Sequence, residues 1–318
     1  MTDVSVVVPT HNRGQLLMTT LRSVLWQHAV DIEVIVVDDG SIDNTPQVIR
    51  AMDDGRLRVV RNEVPQRVSA ARNRGAVMAR SDWVAFCDDD DLWAPDKIAR
   101  QLEAAVRAGR PWVYCGTVNI DQHLRIVSGR PPPDPEHVMA TLGRFNPIPG
   151  GGSNVMMRRD ALEAAGPFDT QLANTEDWEM WLRLAAQQGP PAWVCAPLVA
   201  YRVHGGNASL DTEQILAGIA RIEQQHGNRV DRGVIHRWFA ESFLRTGRRS
   251  RALRHWTLAA THGQALAVAG DLATIARRRA GRLSRRTSDP LASPTGVWAA
   301  QPTEWLTKLR DGLRPPCE

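Results

Sequence analysis

Four consecutive carboxylates, Asp88-Asp89-Asp90-Asp91, follow the apolar run Trp83-Val84-Ala85-Phe86-Cys87 with no spacer. Like charges this close repel, and burying them unpaired costs more still. The apolar run predicts a buried strand, so its end must face solvent or hold a cation. Two readings follow. One is a solvated acidic loop before the next helix. The other is a divalent-metal site at the carboxyl end of a sheet strand, where open α/β sheets bind ligands.

The chain repeats this pattern. Residues 4–8 are a β-branched run ended by Pro9 and the turn residues 10–14. Residues 33–37 are a second run, ended by Asp38-Asp39-Gly40-Ser41, and 57–60 a third. Leu17, Leu21, Val24 and Leu25 recur at helical spacing, and Thr45-Pro46 opens another helix, proline being tolerated at the first position. Residues 69–80 predict a helix with Ser69 as N-cap, 95–106 another, and 112–118 a further strand. Such alternation specifies βαβ units and a mostly parallel sheet. Right-handed crossovers then bring the ends of the first, second and fourth strands to one edge.

Beyond 118 the alternation loosens. Residues 131–135 predict a loop, and 146–153 a Gly-rich loop without the phosphate-loop pattern. A strand at 154–157, a helix at 175–187 and two short strands over 192–201, broken at Pro197, precede a Gly-rich turn bearing His204. From 211 onward, helical spacing at 215–224, 234–246, 251–261 and 265–282 predicts a helical appendage. The expected division is 1–210 as a catalytic domain, 211–286 as an Arg-rich helical region, and 287–318 as a disordered linker with a short helix at 304–313.

At 318 residues, with 43% hydrophobic and 23% charged residues, the composition is that of a globular, water-soluble chain. No stretch approaches the ~20 apolar residues of a membrane span, and the N-terminus lacks a secretory signal pattern. Cys87, Cys115, Cys195 and Cys317 form no CxxC pair, which predicts reduced thiols and a cytoplasmic location. The net charge of +4 is unevenly placed: between Arg245 and Arg286, eleven arginines face one acid, Asp271. That segment suits a peripheral contact with an anionic membrane, or a solvated helix face. No nucleic-acid partner is expected.

The acidic residues fall at element ends: Asp38-Asp39, the run 88–91, and Glu176-Asp177 at a helix start. Oxygen ligands suit Mg²⁺ or Mn²⁺, commonly held by one or two carboxylates plus substrate phosphates. A further carboxylate, away from the metal, is then available as a general base.

Seven stretches extend this reading. They are 4–13 (Val-Ser-Val-Val-Val-Pro-Thr-His-Asn-Arg), 36–41 (Val-Val-Asp-Asp-Gly-Ser), 70–75 (Ala-Ala-Arg-Asn-Arg-Gly), the run 88–91, Arg158-Arg159-Asp160 with Gly166-Pro167-Phe168-Asp169, Glu176-Asp177-Trp178 with Trp181-Leu182-Arg183, and Tyr201-Arg202-Val203-His204. In this order, over about residues 2–210, they resemble the family 2 glycosyltransferases of the GT-A fold. His11 stands where that family usually has an aromatic residue. The resemblance implies a mixed, mostly parallel sheet flanked by helices, followed here by the α-helical appendage. It implies an inverting transfer of sugar from a nucleotide-diphosphate donor, a UDP-sugar first and GDP- or dTDP-sugars as alternatives. The acceptor would be a hydroxyl on a polysaccharide, lipid-linked or other glycan. Pro9, Thr10 and Asn12 would line the nucleotide pocket, Asp39 would read the base and Arg72 would lie near the nucleotide. Asp88 and Asp90 take the D-x-D positions, Asp88 toward the ribose and Asp90 on Mn²⁺ or Mg²⁺, with Asp89 as an alternative. Asp177 matches the catalytic base, and His204 is a further metal or diphosphate contact. A nucleotidyltransferase and a non-catalytic nucleotide-sugar or glycan-binding scaffold are the competing readings. A dehydrogenase is disfavoured, because no GxGxxG follows the first strand.

Overall fold

A computed structural model describes residues 2–284, 298 and 301–312. The chain begins β1 (Val4–Thr10), α1 (Gly14–Leu25), β2 (Ile32–Asp38), α2 (Thr45–Arg50), β3 (Leu57–Arg61), α3 (Arg67–Met78) and β4 (Trp83–Phe86). It continues β5 (Leu92–Trp93), α4 (Lys97–Ala108), β6 (Trp112–Ile120), β7 (Ile126–Arg130), α5 (Pro135–Thr141), β8 (Met156–Arg158), α6 (Arg159–Ala165), α7 (Glu176–Gln188) and β9 (Ala192–Arg202). Then come α8 (Thr212–His226), α9 (Arg232–Arg245), α10 (Arg249–Ala259), α11 (Ala265–Ser284) and α12 (Thr303–Asp311).

The sheet order is β3-β2-β1-β4-β8-β6-β9-β5, with β7 added to β6. The first four strands are parallel, β8 runs antiparallel between β4 and β6, and β9 is parallel to β6. Alternate residues of a strand face opposite sides, and both sides here are covered. Val7, Ile35, Val37, Val84 and Phe86 face one core, shared with α7 and α9, while Val6, Val8, Val34 and Val36 face the other, shared with α1 and α4. Burial on both faces explains why these strands are continuously apolar. The parallel order carries the ends of β1, β2 and β4 to one edge.

Close packing fixes α3 on this sheet. A Cβ on Gly75 would lie 2.3 Å from Val7 Cγ1, so the helix lies directly on β1 and Arg72 is held near the strand ends. Ser69 falls inside α3 rather than at its N-cap, and its hydroxyl donates to the Leu172 carbonyl. The capping role goes to Asp39, whose carboxylate accepts the Gln66 and Arg67 N–H groups.

Three local expectations change. Residues 192–202 form one strand, not two: the pairing with β6 slips between Cys115–Val194 and Gly116–Pro197, a bulge that accommodates a residue with no N–H. Pro135 begins a helix, as proline can at the first turn, and β7 adds a strand before it. At the C-terminal end, Trp298 lies buried against the sheet. Its Nε1 donates to the Thr117 carbonyl at 3.2 Å, and a Cβ on Gly116 would come within 2.3 Å of its ring. Helix α12 buries Trp305, Leu306 and Leu309 in the same core as α1. The remainder of the expected linker, 287–297 with 299–300, and Leu313 and Cys317 lie outside the described residues.

Candidate active site

The edge formed by the ends of β1, β2 and β4 gathers most of the residues singled out above. After β1, Asn12 adopts a positive φ of 52° and its amide oxygen accepts the Ile42 and Asp43 N–H groups, tying this turn to the one after β2. Asn tolerates this conformation better than most residues. Thr10 is buried at the strand end. Asp38 pairs with Arg61. Asp39 accepts from Asn62, Gln66 and Arg67, so its carboxylate braces this edge.

The four carboxylates after β4 have four different environments. Asp88 is the most open, its side chain 31% exposed, and it receives Arg72 Nη2 at 2.6 Å. Asp89 is buried. Burial, then the adjacent Asp90 charge, pushes its carboxyl up to about 7 against the pull of Arg13. For Asp90 burial acts the same way, but the His204 hydrogen bond and the Arg13 charge outweigh it and hold the group below the usual carboxylate range. Asp91 is fully buried, and accepts the Arg202 N–H at 3.1 Å. Burial and the charges of Asp90 and Asp88 lift it well above that range. Like charges at contact separate in this way, some ionised and some protonated.

His204 Nε2 lies 3.0 Å from Asp90 Oδ2, while its Nδ1 accepts the Gly206 N–H at 3.1 Å. A neutral imidazole that accepts at one nitrogen carries its proton on the other. Nε2 is therefore the donor toward Asp90. Among the described residues, no three His, Cys, Asp or Glu side chains form a closed cation cage. The donor set is instead one or two hard carboxylate oxygens at a spot where the Arg13 guanidinium already lies. That set fits a metal completed by substrate phosphates.

The second acidic group sits at the start of α7. Arg72, 2% exposed, spans the two: Nη1 reaches Glu176 at 2.7 Å and Nη2 reaches Asp88. The Gly-rich loop passes between them. A Cβ on Gly152 would fall 2.6 Å from Arg72 Nη2, and one on Gly151 would fall 3.3 Å from Asp177 Oδ2, so glycine is needed for this approach. Asp177 is partly buried and is pushed up to about 7 by burial and the Glu176 charge, against Arg72. Trp178, by contrast, is in the core, its Nε1 donating to the Leu142 carbonyl.

Sequence reasoning missed the supports of this loop and the partner of the acidic run. Trp93 Nε1 donates to the Ser153 carbonyl, Gln101 holds the Asn154 carbonyl, and buried Lys97 donates to Gln101 while lying 3.8 Å over the Trp93 ring. Their signal was the spacing of Trp93, Lys97 and Gln101 at four-residue steps. Arg13 had no such signal, being 77 positions from Asp90. Beside the site opens a polar recess of about 520 Å³, lined by Asn174, Gly206, Asp211, Gln214 and Arg251 among others. A recess of about 560 Å³ between α1 and α12 shares none of these residues.

The sequence profile of glycosyl transferase family 2 matches residues 5–166. The chain belongs to glycosyl transferase family 2. It is thus a glycosyltransferase, and the nucleotidyltransferase and scaffold readings are set aside. The succinoglycan biosynthesis protein ExoO of Rhizobium meliloti is 38% identical over 107 residues, 34% of this chain and 31% of that protein. WfgD of Escherichia coli, a UDP-Glc:α-D-GlcNAc-diphosphoundecaprenol β-1,3-glucosyltransferase, is 27% identical over 193 residues, 60% of this chain and 73% of that protein. The mannosyltransferase PcManGT of Pyrobaculum calidifontis, solved with GDP-Man and Mn²⁺, superposes with a TM-score of 0.54 at 19% identity, over 98% of this chain and 88% of that one. The glycosyltransferase sheet with its C-terminal helices is thus the GT-A-like arrangement.

The raised Asp177 value has a consequence for stability. A carboxyl whose folded pKa exceeds its unfolded value of ~4 favours the fold when protonated. That contribution is full below pH ~4 and is lost as pH rises to about 7. Asp177→Asn removes the loss. In metal-free buffer its melting temperature, minus that of the wild type, should climb between pH 5 and 7.5 and level off above. A difference independent of pH would show that Asp177 ionises as an ordinary surface carboxylate.

Proposed function

We propose that this glycosyltransferase moves a sugar from a nucleotide-diphosphate donor to a glycan or lipid-linked acceptor hydroxyl by one inverting displacement. The observation that carries this reading is the division of the acids: a cluster at the end of β4, and Asp177 apart from it across Arg72 and the Gly-rich loop. A weak hydroxyl nucleophile needs a base, while a diphosphate leaving group needs positive charge rather than a proton.

In this reading Pro9, Thr10, Asn12 and Asp39 form the nucleotide end, with Asp39 acting through the edge it braces. Arg72 orients Asp88 toward the ribose side. Asp90, with Asp88 or Asp89, would hold Mn²⁺ or Mg²⁺, which when bound would offset charge on the departing diphosphate. His204, with its proton on Nε2, suits a hydrogen bond to a diphosphate oxygen. Metal ligation at that nitrogen would require the proton to move and the Gly206 bond to break. Asp177 takes the proton of the acceptor hydroxyl as that oxygen attacks the anomeric carbon. Its value near 7 suits a base that must hold a proton briefly and release it. The polar recess between residue 174 and the 206–214 segment is the acceptor side. UDP-sugars are the first donor candidates and GDP-sugars the second, in line with the two relatives named above.

Helices α10 and α11 are assigned to a further task. Among the described residues no helix is long and apolar enough to cross a membrane. However, α10 exposes Leu253 at 60% among Arg249, Arg251 and Arg254, and α11 exposes Leu266 at 92%, a pattern suited to the cytoplasmic face of an anionic bilayer.

Asp177→Asn should cut transfer by about 10²–10⁴-fold while leaving the donor-induced thermal shift close to wild type. Asp90→Ala should instead lose the Mn²⁺-dependent part of that shift. Near-normal turnover in the first variant would remove Asp177 from its role. For the membrane assignment, vesicles containing phosphatidylserine should sediment the full chain but not neutral vesicles. Replacing Arg249, Arg251 and Arg254 with Gln should weaken that binding, and unchanged binding would refute the assignment.

A further inference from the structure

Arg13 lies at the place where a cation on Asp90 would lie. Its Nη1 donates to Asp90 Oδ2 and, at 3.3 Å, to Asp89 Oδ1. Its Nη2 reaches the Gly206 carbonyl oxygen at 3.4 Å. The same Asp90 oxygen also receives His204 Nε2. Both carboxylates are buried, whereas the Arg13 side chain is 31% exposed. The acids are fixed in the fold and the guanidinium is at its margin, so the guanidinium is the partner free to leave.

Arg13 and His204 both meet Asp90 at Oδ2, and a divalent ion drawn to the same carboxylate puts a second cation beside the guanidinium, which it repels. Displacement has a second consequence through Gly206. The turn after β9 is braced internally by Asn207, which accepts the His204 N–H and donates to the Arg202 carbonyl. Externally it is held by His204 Nε2 on Asp90 and by two arginines, Arg13 on the Gly206 carbonyl and Arg248, just before α10, on the Gly205 carbonyl at 3.3 Å. Gly206 also lines the polar recess.

We propose that Arg13 is the resident counter-cation of the Asp89–Asp90 pair, that a divalent ion displaces it, and that its departure unlatches the turn bearing His204 and Gly206. The proposal rests on the metal-assisted reading above. It makes Arg13 a positioning residue that links arrival of the cation to the shape of the acceptor side. The apparent affinity for the bare ion is then reduced by the fraction of molecules in which Arg13 has left.

The test titrates Mn²⁺ alone into the full-length protein and reads free Mn²⁺ by electron paramagnetic resonance. Arg13→Gln should bind Mn²⁺ about tenfold or more tightly than the wild type. Arg13→Lys, which keeps the charge, should stay near wild type, and Asp90→Asn should lose the site. Equal affinity in Arg13→Gln and wild type, with loss in Asp90→Asn, overturns the role of Arg13 while the metal reading stands. A lysine variant as tight as the glutamine variant also overturns it. Absence of Mn²⁺ binding in every variant, even with UDP present, overturns both. A second measurement needs no variant: Mn²⁺ should speed amide hydrogen exchange at residues 204–207 of the wild type. Unchanged or slower exchange there contradicts the unlatching.

Discussion

Arg72 is a buried guanidinium with an acid at each end, Glu176 at 2.7 Å and Asp88 at 2.6 Å. Its pKa is raised by those charges in spite of burial, which opposes them. Removing one partner from a buried pair typically costs about 3–5 kcal/mol, because the other charge is left unpaired. Glu176 and Asp88 belong to elements 88 positions apart, on α7 and after β4. Their assembly is therefore tied to the insertion of Arg72 from α3, and α3 is held in turn by the Gly75–Val7 contact. The two acidic groups, after β4 and at the start of α7, stand as near as they do because a fixed positive charge separates them.

Charge explains the unequal character of the four consecutive carboxylates as well. Asp90 is held ionised against burial by His204 and Arg13, which face it, and Asp91 is driven toward the protonated form by complete burial and by the charges of Asp90 and Asp88. A composition of four identical residues contains no hint of this. The difference is created by loops that meet the run from far away in the chain, the one after β1 and the one after β9.

Legibility in the sequence followed the range of the interaction. The strands β1, β2 and β4 were readable because burial on both faces writes a continuous apolar run, and the acidic ends of β2 and β4 were readable because carboxylates in a row after such a run are costly. Asp177 was singled out through its place in a motif. Strand β5, of two residues, is too short to show a period, and Pro197 suggested a break where the chain used a bulge. Arg13 and Trp298 act through contacts across the fold. In each case the partner, not the residue, carries the meaning. Trp298 fits over Gly116 and Gly129.

The central claim is that one base and one positively neutralised diphosphate perform a single displacement. It can be tested without knowing the acceptor, by offering water in the acceptor's place and following release of the donor sugar. With Mn²⁺ and UDP-α-glucose, or the α-linked nucleotide sugar that most raises the melting temperature, the anomeric proton of the released sugar can be followed by NMR before mutarotation. The account predicts that the β-anomer appears first. First appearance of the α-anomer would contradict it.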